Sequence, residues 1–297
     1  MRIVFHVGLH KTATTWLQSG FFTEHPEIQL VTDYKKPWND PFLNYLVKAN
    51  DFDFQPDKCR KLLYGQLALT NKKNAKVFLV SAERLSGHPY SGGYDTLRLA
   101  RRIRDTFPKA WVILGIRNQK DLLISIYKQS VKDGYRGTLS DMLITRHWQI
   151  VGFDMDIYKY DSLIRTYWRY FSIKRVLVLV HEDLREDSNG FLRNISSFLN
   201  VREFIPTNTG VRMNWSPPDH ATFARRVLNQ FRKSELNPFP VVNISSRTFR
   251  ALEFLFSPFF KGRELFSDTE LNKIAFFYHE SNDRLRRMLK RNLISYP

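Results

Sequence analysis

The sequence contains a single cysteine, Cys59, among its 297 residues. This excludes an internal disulfide and any cysteine-rich metal site, and it is typical of a protein from a reducing compartment. No His, Cys and carboxylate residues occur at the spacing of a metal site either. We therefore predict a protein that works without a bound metal.

Long apolar runs are also missing. The first hydrophobic stretch, residues 3–7, is too short for the apolar region of a signal peptide, and no uninterrupted stretch approaches the length of a membrane-spanning helix. Residues 239–260 are rich in apolar side chains but include several polar and charged ones, which favours an element that packs against the rest of the protein over a membrane element. We expect a cytoplasmic protein.

Acidic residues are scarce relative to basic ones, with 29 Asp and Glu against 46 Lys and Arg, which gives a formal net charge of +17. Such an excess suits an anionic partner, whether a nucleotide, an acidic glycan or an anionic surface. The basic residues are dispersed, and the sequence has no basic tail and no zinc-finger spacing. We therefore expect no specific nucleic-acid binding.

The N-terminal stretch predicts a phosphate site. Residues 3–7 have strand character, and a helix with threonines in its first turn follows directly. The first N–H groups of a helix lack internal partners, and the helix dipole is positive there, so an anion is favoured. Lys11 adds a positive charge, and Thr12, Thr14 and Thr15 add hydroxyl groups. Helix capping alone would explain one hydroxyl and not three.

The turn lacks the glycine that precedes the lysine in ATP-binding loops. It is shorter than a triphosphate cradle, and it resembles instead the 5'-phosphosulfate loop of sulfotransferases. The resemblance is carried by the segment Lys11-Thr12-Ala13-Thr14-Thr15-Trp16-Leu17. The segment departs from the family pattern at Ala13, where the family has glycine. An alanine fits this position without strain only if its φ angle is helical.

Apolar strands alternate with helices along the chain. We predict strands at residues 3–7, 27–31, 76–83, 110–117 and 175–180, and helices at residues 57–71, 94–107, 121–131, 156–170 and 191–199. This order is typical of an α/β, P-loop-like three-layer fold with a central parallel sheet. Lys11, Glu83 and Arg117 follow the carboxyl ends of three of these strands, where ligands bind in such sheets.

The remaining segments have less regular patterns. We predict that residues 32–57 are rich in loops and form part of an acceptor cleft, and that residues 217–297 are mostly helical and cap the cleft. The predicted helices there cover residues 223–231, 247–256 and 268–289. Because no linker is visible, we predict a single domain over residues 1–297, with the motifs in residues 1–216.

A second candidate phosphate site begins at Arg117. Asn118 is a natural N-cap and Asp121 follows at capping-box spacing, so a helix should start here and carry Ser125. An arginine fork and a hydroxyl together suit a phosphate. Taken alone, an ion pair of Arg117 with an acid would explain this stretch better.

The same residues match a second family motif. An Arg-Asn pair with a serine eight residues later resembles the 3'-phosphate motif of sulfotransferases, although Gln119 replaces a common proline. Residues 176–184 resemble the family strand followed by Tyr-Glu-Asp-Leu, and residues 211–216 resemble an Asn-x-Ser element of bacterial members. The similarity runs from residue 3 to about residue 216. Two phosphate motifs in the right order are far more specific than either one.

The resemblance implies a bacterial enzyme of EC 2.8.2 type that uses 3'-phosphoadenosine-5'-phosphosulfate (PAPS), releases 3'-phosphoadenosine 5'-phosphate (PAP) and needs no metal. It implies that Lys11 contacts the 5'-phosphate and the bridging oxygen. The other implied donor-binding residues are His10, Thr12, Ala13, Thr14, Thr15 and Trp16 in the loop, Arg117 and Ser125 at the 3'-phosphate, and Asn214 and Ser216.

The resemblance leaves the general base open between two residues. Glu83, in the stretch Ser81-Ala82-Glu83-Arg84-Leu85, resembles the glutamate of the heparan-type enzymes, and we take it as the base. His88 is the alternative, as in the enzymes that act on steroids and phenols. The acceptor stays open among a glycan, a lipid headgroup and a small metabolite.

Two other functions compete with this interpretation. A phosphotransferase using ATP and Mg²⁺ explains Lys11 and the sheet, but the sequence offers no clear Mg²⁺-binding aspartate after an apolar strand. A non-enzymatic polyanion-binding protein explains the net charge alone.

Overall fold

The structure, a computed structural model, describes residues 2–69, 72–144, 153–207, 217–293 and 295–296. Its centre is a five-stranded sheet in the order β2-β3-β1-β4-β5, in which every pairing is parallel. The strands are β1 (Arg2–Gly8), β2 (Ile28–Leu30), β3 (Val77–Ser81), β4 (Trp111–Ile116) and β5 (Val176–Val180). The predicted strands and the parallel α/β fold are confirmed.

The helices cover both faces of the sheet. In the N-terminal half they are α1 (Thr14–Ser19), α2 (Phe21–Glu24), α3 (Pro41–Lys48), α4 (Pro56–Ala68), α5 (Thr96–Thr106), α6 (Gln119–Lys132) and α7 (Leu139–Leu143). They continue with α8 (Tyr160–Phe171), α9 (His181–Glu186), α10 (Ser188–Leu199), α11 (Asp219–Leu228), α12 (Ser246–Phe256) and α13 (Asp268–Leu289).

Alternate residues of the strands pack into two separate hydrophobic cores, one on each face of the sheet. Val4 of β1 lies in one core with side chains of α1, α2 and α10. Phe5 and Val7 point to the other face and join side chains of α3, α4, α5, α6, α8 and α13. This alternation follows from the two-residue period of a strand, and burial on both faces explains why the strands are almost continuously apolar.

The order of the strands brings the three predicted site residues Lys11, Glu83 and Arg117 to one edge of the sheet. β1 is central, and it pairs with β3 through His6 opposite Ser81 and with β4 through Gly8 opposite Gly115. Because the strands are parallel, the loops that follow β1, β3 and β4 leave the same edge of the sheet. Lys11, Glu83 and Arg117 are in those loops, as the sequence predicted.

The prediction of a loop-rich segment at residues 32–57 was wrong for α3. Asp40 is the N-cap of this helix, and its side chain accepts a hydrogen bond from the N–H of Leu43 at 2.9 Å. Pro41 occupies the first helical position, where the N–H that proline lacks would have no partner in any case. A proline that suggested a loop therefore begins a helix.

The helices after residue 217 pack on the sheet's helical layer. α11 packs on α6, α12 on α11, and α13 on α6 and α8. Lys128 of α6 and Asp219 of α11 form an ion pair at 2.7 Å. The larger core contains side chains of α13, and the single domain over residues 1–297 stays a prediction. Among the described helices, none is both long and apolar enough to cross a lipid bilayer.

Candidate active site

The loop between β1 and α1 has an unusual backbone. Lys11 has a φ angle of 69° and Ala13 one of 66°, so both residues are in the left-handed region. Side chains with a Cβ atom disfavour this region, which glycine adopts freely. The condition under which alanine would fit without strain is therefore not met. A glycine at position 13 would suit this loop better.

Two glycines allow the loop to lie close against the sheet. A Cβ atom on Gly8 would lie 2.3 Å from Oγ1 of Thr14, and one on Gly115 would lie 2.8 Å from Oγ1 of Thr12. Both distances are shorter than real Cβ contacts. The threonines of the loop thus occupy space that any larger residue at these strand ends would take.

The three hydroxyl groups differ in their surroundings. The Thr12 hydroxyl donates to the carbonyl oxygen of Leu9 at 2.6 Å and so closes the loop. Oγ1 of Thr14 is buried and has no hydrogen-bond partner within the described ranges. Thr15 is exposed at the start of α1. Of the three, Thr14 most needs a partner, because an unpaired buried hydroxyl is costly.

The Lys11 ammonium group points towards α6. Its Nζ atom donates to Oε1 of Gln129 at 3.0 Å, and Nε2 of Gln129 donates to Oδ2 of Asp133 at 2.9 Å. The hydroxyl of Tyr90 also bonds to Asp133. Burial lowers the pKa of Lys11, a direction that the charge of Glu83 opposes. The lysine is therefore held in place by a neutral amide, and among the described residues no direct ion pair neutralises it.

Glu83 starts a 3-10 helix, Glu83–Ser86, just after β3. Its Oε2 atom lies 3.1 Å from Nδ1 of His10. Burial alone raises the pKa of Glu83, but the hydrogen bond with His10 and the charges of His10 and Lys11 outweigh it, so the pKa is lowered. A carboxylate and a lysine thus belong to one electrostatic cluster.

Three polar side chains, His6, Ser81 and Gln18, form a hydrogen-bonded cluster next to the segments that carry His10 and Glu83. Nδ1 of His6 lies 2.8 Å from Oγ of Ser81, and Nε2 of Gln18 donates to the same hydroxyl oxygen at 3.0 Å. Burial lowers the pKa of His6 to about 4, against the opposing charge of Glu83. These side chains join β1, β3 and α1 directly beneath the loop.

Arg117 extends from the end of β4 under the same loop. Its Nη1 atom donates to the carbonyl oxygen of Lys11 at 3.1 Å, and its Nε atom is buried without a partner in the described part of the chain. The Tyr160 hydroxyl donates to the Arg117 carbonyl at 2.7 Å. Asn118 caps α6 as predicted, by accepting from the N–H of Asp121 at 3.2 Å. Ser125 is half-buried on this helix.

The unsatisfied polar atoms of this region suit an anionic ligand. Oγ1 of Thr14, Nε2 of His10 and Nε of Arg117 are all buried without a described partner. All three belong to segments at the carboxyl edge of the sheet, near the Lys11 cation. A hydroxyl and a guanidinium are suitable donors for the oxygens of a phosphate or a sulfuryl group, and Nε2 of His10 is a third donor when the imidazole carries a proton on both nitrogens.

The sequence matches one known protein family. A family profile described as the sulfotransferase domain matches residues 2–209, which is more than half of the chain. The chain belongs to the sulfotransferase family. A search of curated proteins finds no significant sequence match.

Solved structures of other sulfotransferases are similar to this one. The crystal structure of a sulfotransferase from Alicyclobacillus acidocaldarius has a TM-score of 0.51 and 20% identity, covering 84% of this chain and 99% of that chain. Mouse sulfotransferase SULT7A1 complexed with PAP has a TM-score of 0.41 and 14% identity, covering 99% of this chain and 86% of that chain. The first likeness supports the fold of this sulfotransferase.

The alternative base, His88, lies in the same cleft as His10, lined also by Leu9 and Tyr158. Burial lowers the pKa of His88, and the charge of Arg84 acts in the same direction. Arg84 itself is paired with Asp95 at 2.5 Å, so it is not the partner of Glu83.

Not every residue near the site was predicted from the sequence, and two of the predicted residues lie outside the described part of the chain. Gln129 was missed, although it lies one helical turn after Ser125 and so on the same side of α6. The buried Nδ1 of His181, at the end of β5, is also without a described partner. Trp16 is half-buried in α1. Asn214 and Ser216, predicted to bind the donor, lie outside the described residues.

Proposed function

We propose that this sulfotransferase moves a sulfuryl group from PAPS to a hydroxyl or amine of its acceptor, with Glu83 as the general base. One observation carries the proposal. The loop of Lys11 and the carboxylate of Glu83 are joined through the 3.1 Å contact between His10 and Glu83. This contact supports a site in which Lys11 stabilises the leaving phosphate and Glu83 deprotonates the acceptor.

The proposed donor site lies along the strand ends. We assign the 5'-phosphate to Lys11 and to the start of α1, where the buried Thr14 hydroxyl needs a partner. We assign the 3'-phosphate to Arg117 and Ser125, because the buried Arg117 Nε atom also has no partner among the residues that the structure describes. Binding would exchange the neutral Gln129 partner of Lys11 for phosphate oxygens, which make stronger, charge-assisted hydrogen bonds.

PAPS supplies the sulfuryl group and a phosphate leaving group when bound. The carboxylate of Glu83 accepts the proton from the acceptor's hydroxyl or amine as the new bond to sulfur forms. The lowered pKa of Glu83 means that its side chain is an ionised carboxylate at neutral pH. The Lys11 ammonium stabilises the negative charge that develops on the leaving phosphate.

The acceptor is a glycan, a lipid headgroup or a small metabolite, and label transfer would identify it. Purified protein is incubated with sulfur-labelled PAPS and separate glycan, lipid and metabolite fractions of an extract from its source. We expect one fraction to take up label with the wild type and not with Lys11→Ala. Label uptake unchanged by Lys11→Ala would contradict the proposed site.

Two further measurements separate the rival functions. We expect PAP without metal to raise the melting temperature, and ATP with Mg²⁺ to raise it less. The reverse order would favour a phosphotransferase. A non-enzymatic polyanion-binding protein would instead bind heparin in a salt-dependent way that survives Lys11→Ala, and it would transfer no label.

A further inference from the structure

An apolar surface is exposed where α12 ends. Phe254 is 85% exposed and Phe259 is 75% exposed, and Leu255 and Phe256 are exposed between them. The rings of Phe256 and Phe259 lie 6.2 Å apart, so the 3-10 helix Ser257–Phe260 continues the surface. We call these four residues the phenylalanine surface. The sequence predicted that residues 239–260 pack against the rest of the protein, and this prediction was wrong for these four side chains.

The inner side of the same segment is already packed. Phe249 of α12 is 3% exposed, and α12 packs on α11. The ring of Phe260 lies 4.7 Å from that of Phe223 of α11. The phenylalanine surface is therefore an additional apolar face on an element that already has its core contacts. A group of exposed apolar side chains of this kind marks an interaction site.

Positive charge borders this surface. Arg247 and Arg250 are exposed and lie on the same side of α12 as Phe254, since the three are spaced at i, i+3 and i+7. Lys261 and Arg263 are exposed immediately after the 3-10 helix. In the described part of the chain, none of these four cations forms an ion pair.

The acidic residues of the segment do not cancel this charge. Glu253 is half-buried and pairs with Arg225 of α11 at 2.7 Å. Glu264 is the other acidic residue between residues 246 and 264. The net charge around the phenylalanine surface is therefore positive.

These observations point to a membrane rather than to a second copy of the chain. Aromatic side chains that enter the headgroup region, together with cations that contact lipid phosphates, are the features of a protein that lies on an anionic bilayer. In a symmetric dimer the same cations would face each other, and each chain carries a net charge of +17. We propose that the phenylalanine surface docks on anionic lipid membranes.

Docking would bring the enzyme close to lipid without a membrane-spanning segment. α12 packs on α11, and α11 packs on α6, the helix that carries Ser125. The docking surface thus belongs to the helical layer next to the proposed donor site. Docking itself does not depend on the proposed function, so binding to vesicles tests it separately from activity.

Sedimentation with vesicles tests the proposal. The full chain is mixed with vesicles of pure phosphatidylcholine, or of equal parts phosphatidylcholine and phosphatidylglycerol. We expect the protein to sediment with the anionic vesicles and much less with the neutral ones. The double variant Phe254→Ser with Phe259→Ser should bind anionic vesicles about tenfold more weakly, because each ring loses part of its apolar burial.

Phe52→Ser is the matched control. Phe52 is 101% exposed, but it lies between Asp51 and Asp53, which an anionic surface would repel. This variant should bind like the wild type. Arg247→Ala with Arg250→Ala should weaken binding to anionic vesicles and leave the weak binding to neutral ones unchanged.

Three results would overturn the proposal. One is equal binding by the wild type and the Phe254→Ser, Phe259→Ser variant at an unchanged melting temperature. Another is an equal loss of binding in Phe52→Ser. The third is a concentration-dependent dimer that the double variant abolishes, with no vesicle binding by the wild type, which would make a second copy the occupant.

Discussion

The Nδ1 atom of His10 lies 3.1 Å from the Oε2 atom of Glu83, which joins the loop after β1 to the 3-10 helix after β3. The contact lowers the pKa of Glu83 despite its burial. It also leaves Nε2 of His10 buried without a partner among the described residues. The loop of Lys11 and the carboxylate of Glu83 are thus linked by a direct hydrogen bond between segments that follow two neighbouring strands.

Replacing Glu83 by glutamine should lower turnover by about a hundredfold or more, the usual contribution of a positioned base. Glutamine keeps the size of the side chain and an oxygen that accepts from His10. The variant should therefore still bind PAP. Steady-state turnover and calorimetric PAP binding, measured on the same preparation, give the two readouts.

His88→Ala is the comparison for this experiment, because His88 lines a small pocket together with His10, the hydrogen-bond partner of Glu83. We expect it to change turnover little. The opposite pattern, an inactive His88→Ala and a nearly normal Glu83→Gln, would assign the base to His88. Loss of PAP binding in Glu83→Gln would show that the carboxylate is structural.

Ala13→Gly should stabilise the protein. Ala13 has a φ angle of 66°, and this conformation costs an alanine about 1 kcal/mol or more relative to glycine. The greater flexibility of glycine in the unfolded chain offsets part of this gain, so we expect an increase of about 0.5 kcal/mol in the free energy of unfolding. Urea denaturation measures it.

Ala251→Gly serves as the control for that substitution. Ala251 is exposed in the interior of α12, where glycine should reduce the free energy of unfolding by about 1 kcal/mol. If both variants lose stability to the same extent, the left-handed conformation of Ala13 is not the source of strain we infer.

Acid should destabilise the protein in part through His6. Burial lowers the pKa of His6 to about 4, whereas the unfolded chain takes up this proton near pH 6.5. The unfolded state therefore binds more protons between these values, and the free energy of unfolding falls as the pH falls, by at most about 1.4 kcal/mol per pH unit from this residue.

His6→Gln tests this assignment, since glutamine does not titrate. Urea denaturation between pH 7 and pH 5 should show a shallower pH dependence in the variant. The dependence should not vanish, because burial also lowers the pKa of His181 to about 4. An identical slope in wild type and variant would show that His6 does not contribute.

The sequence predicted the sheet well and the contacts between its loops poorly. Buried parallel strands are continuous apolar runs, so β3, β4 and β5 were visible within one or two residues of their ends. α3 was missed because Pro41 suggested a loop. The contact between His10 and Glu83 joins residues 73 positions apart, and predicting it requires knowing that β1 lies beside β3.

Side-chain partners within the site were also beyond the sequence. The pairing of Lys11 with Gln129 depends on how α6 lies over the loop, which no local pattern determines. The sequence indicates that the φ angle of Ala13 decides whether the loop is strained, but no local pattern predicts the sign of that angle. The roles of Asn214 and Ser216 stay predictions.

Calorimetric binding of PAP and of adenosine 5'-phosphosulfate, which lacks the 3'-phosphate, tests the central claim most directly. We predict that the wild type binds PAP without added metal, and that Arg117→Ala weakens PAP binding about tenfold or more, as expected for lost charge-assisted hydrogen bonds. Binding of adenosine 5'-phosphosulfate should change much less. Because Arg117 also donates to the Lys11 carbonyl, equal losses for both ligands would show that it supports the loop and would contradict the 3'-phosphate site.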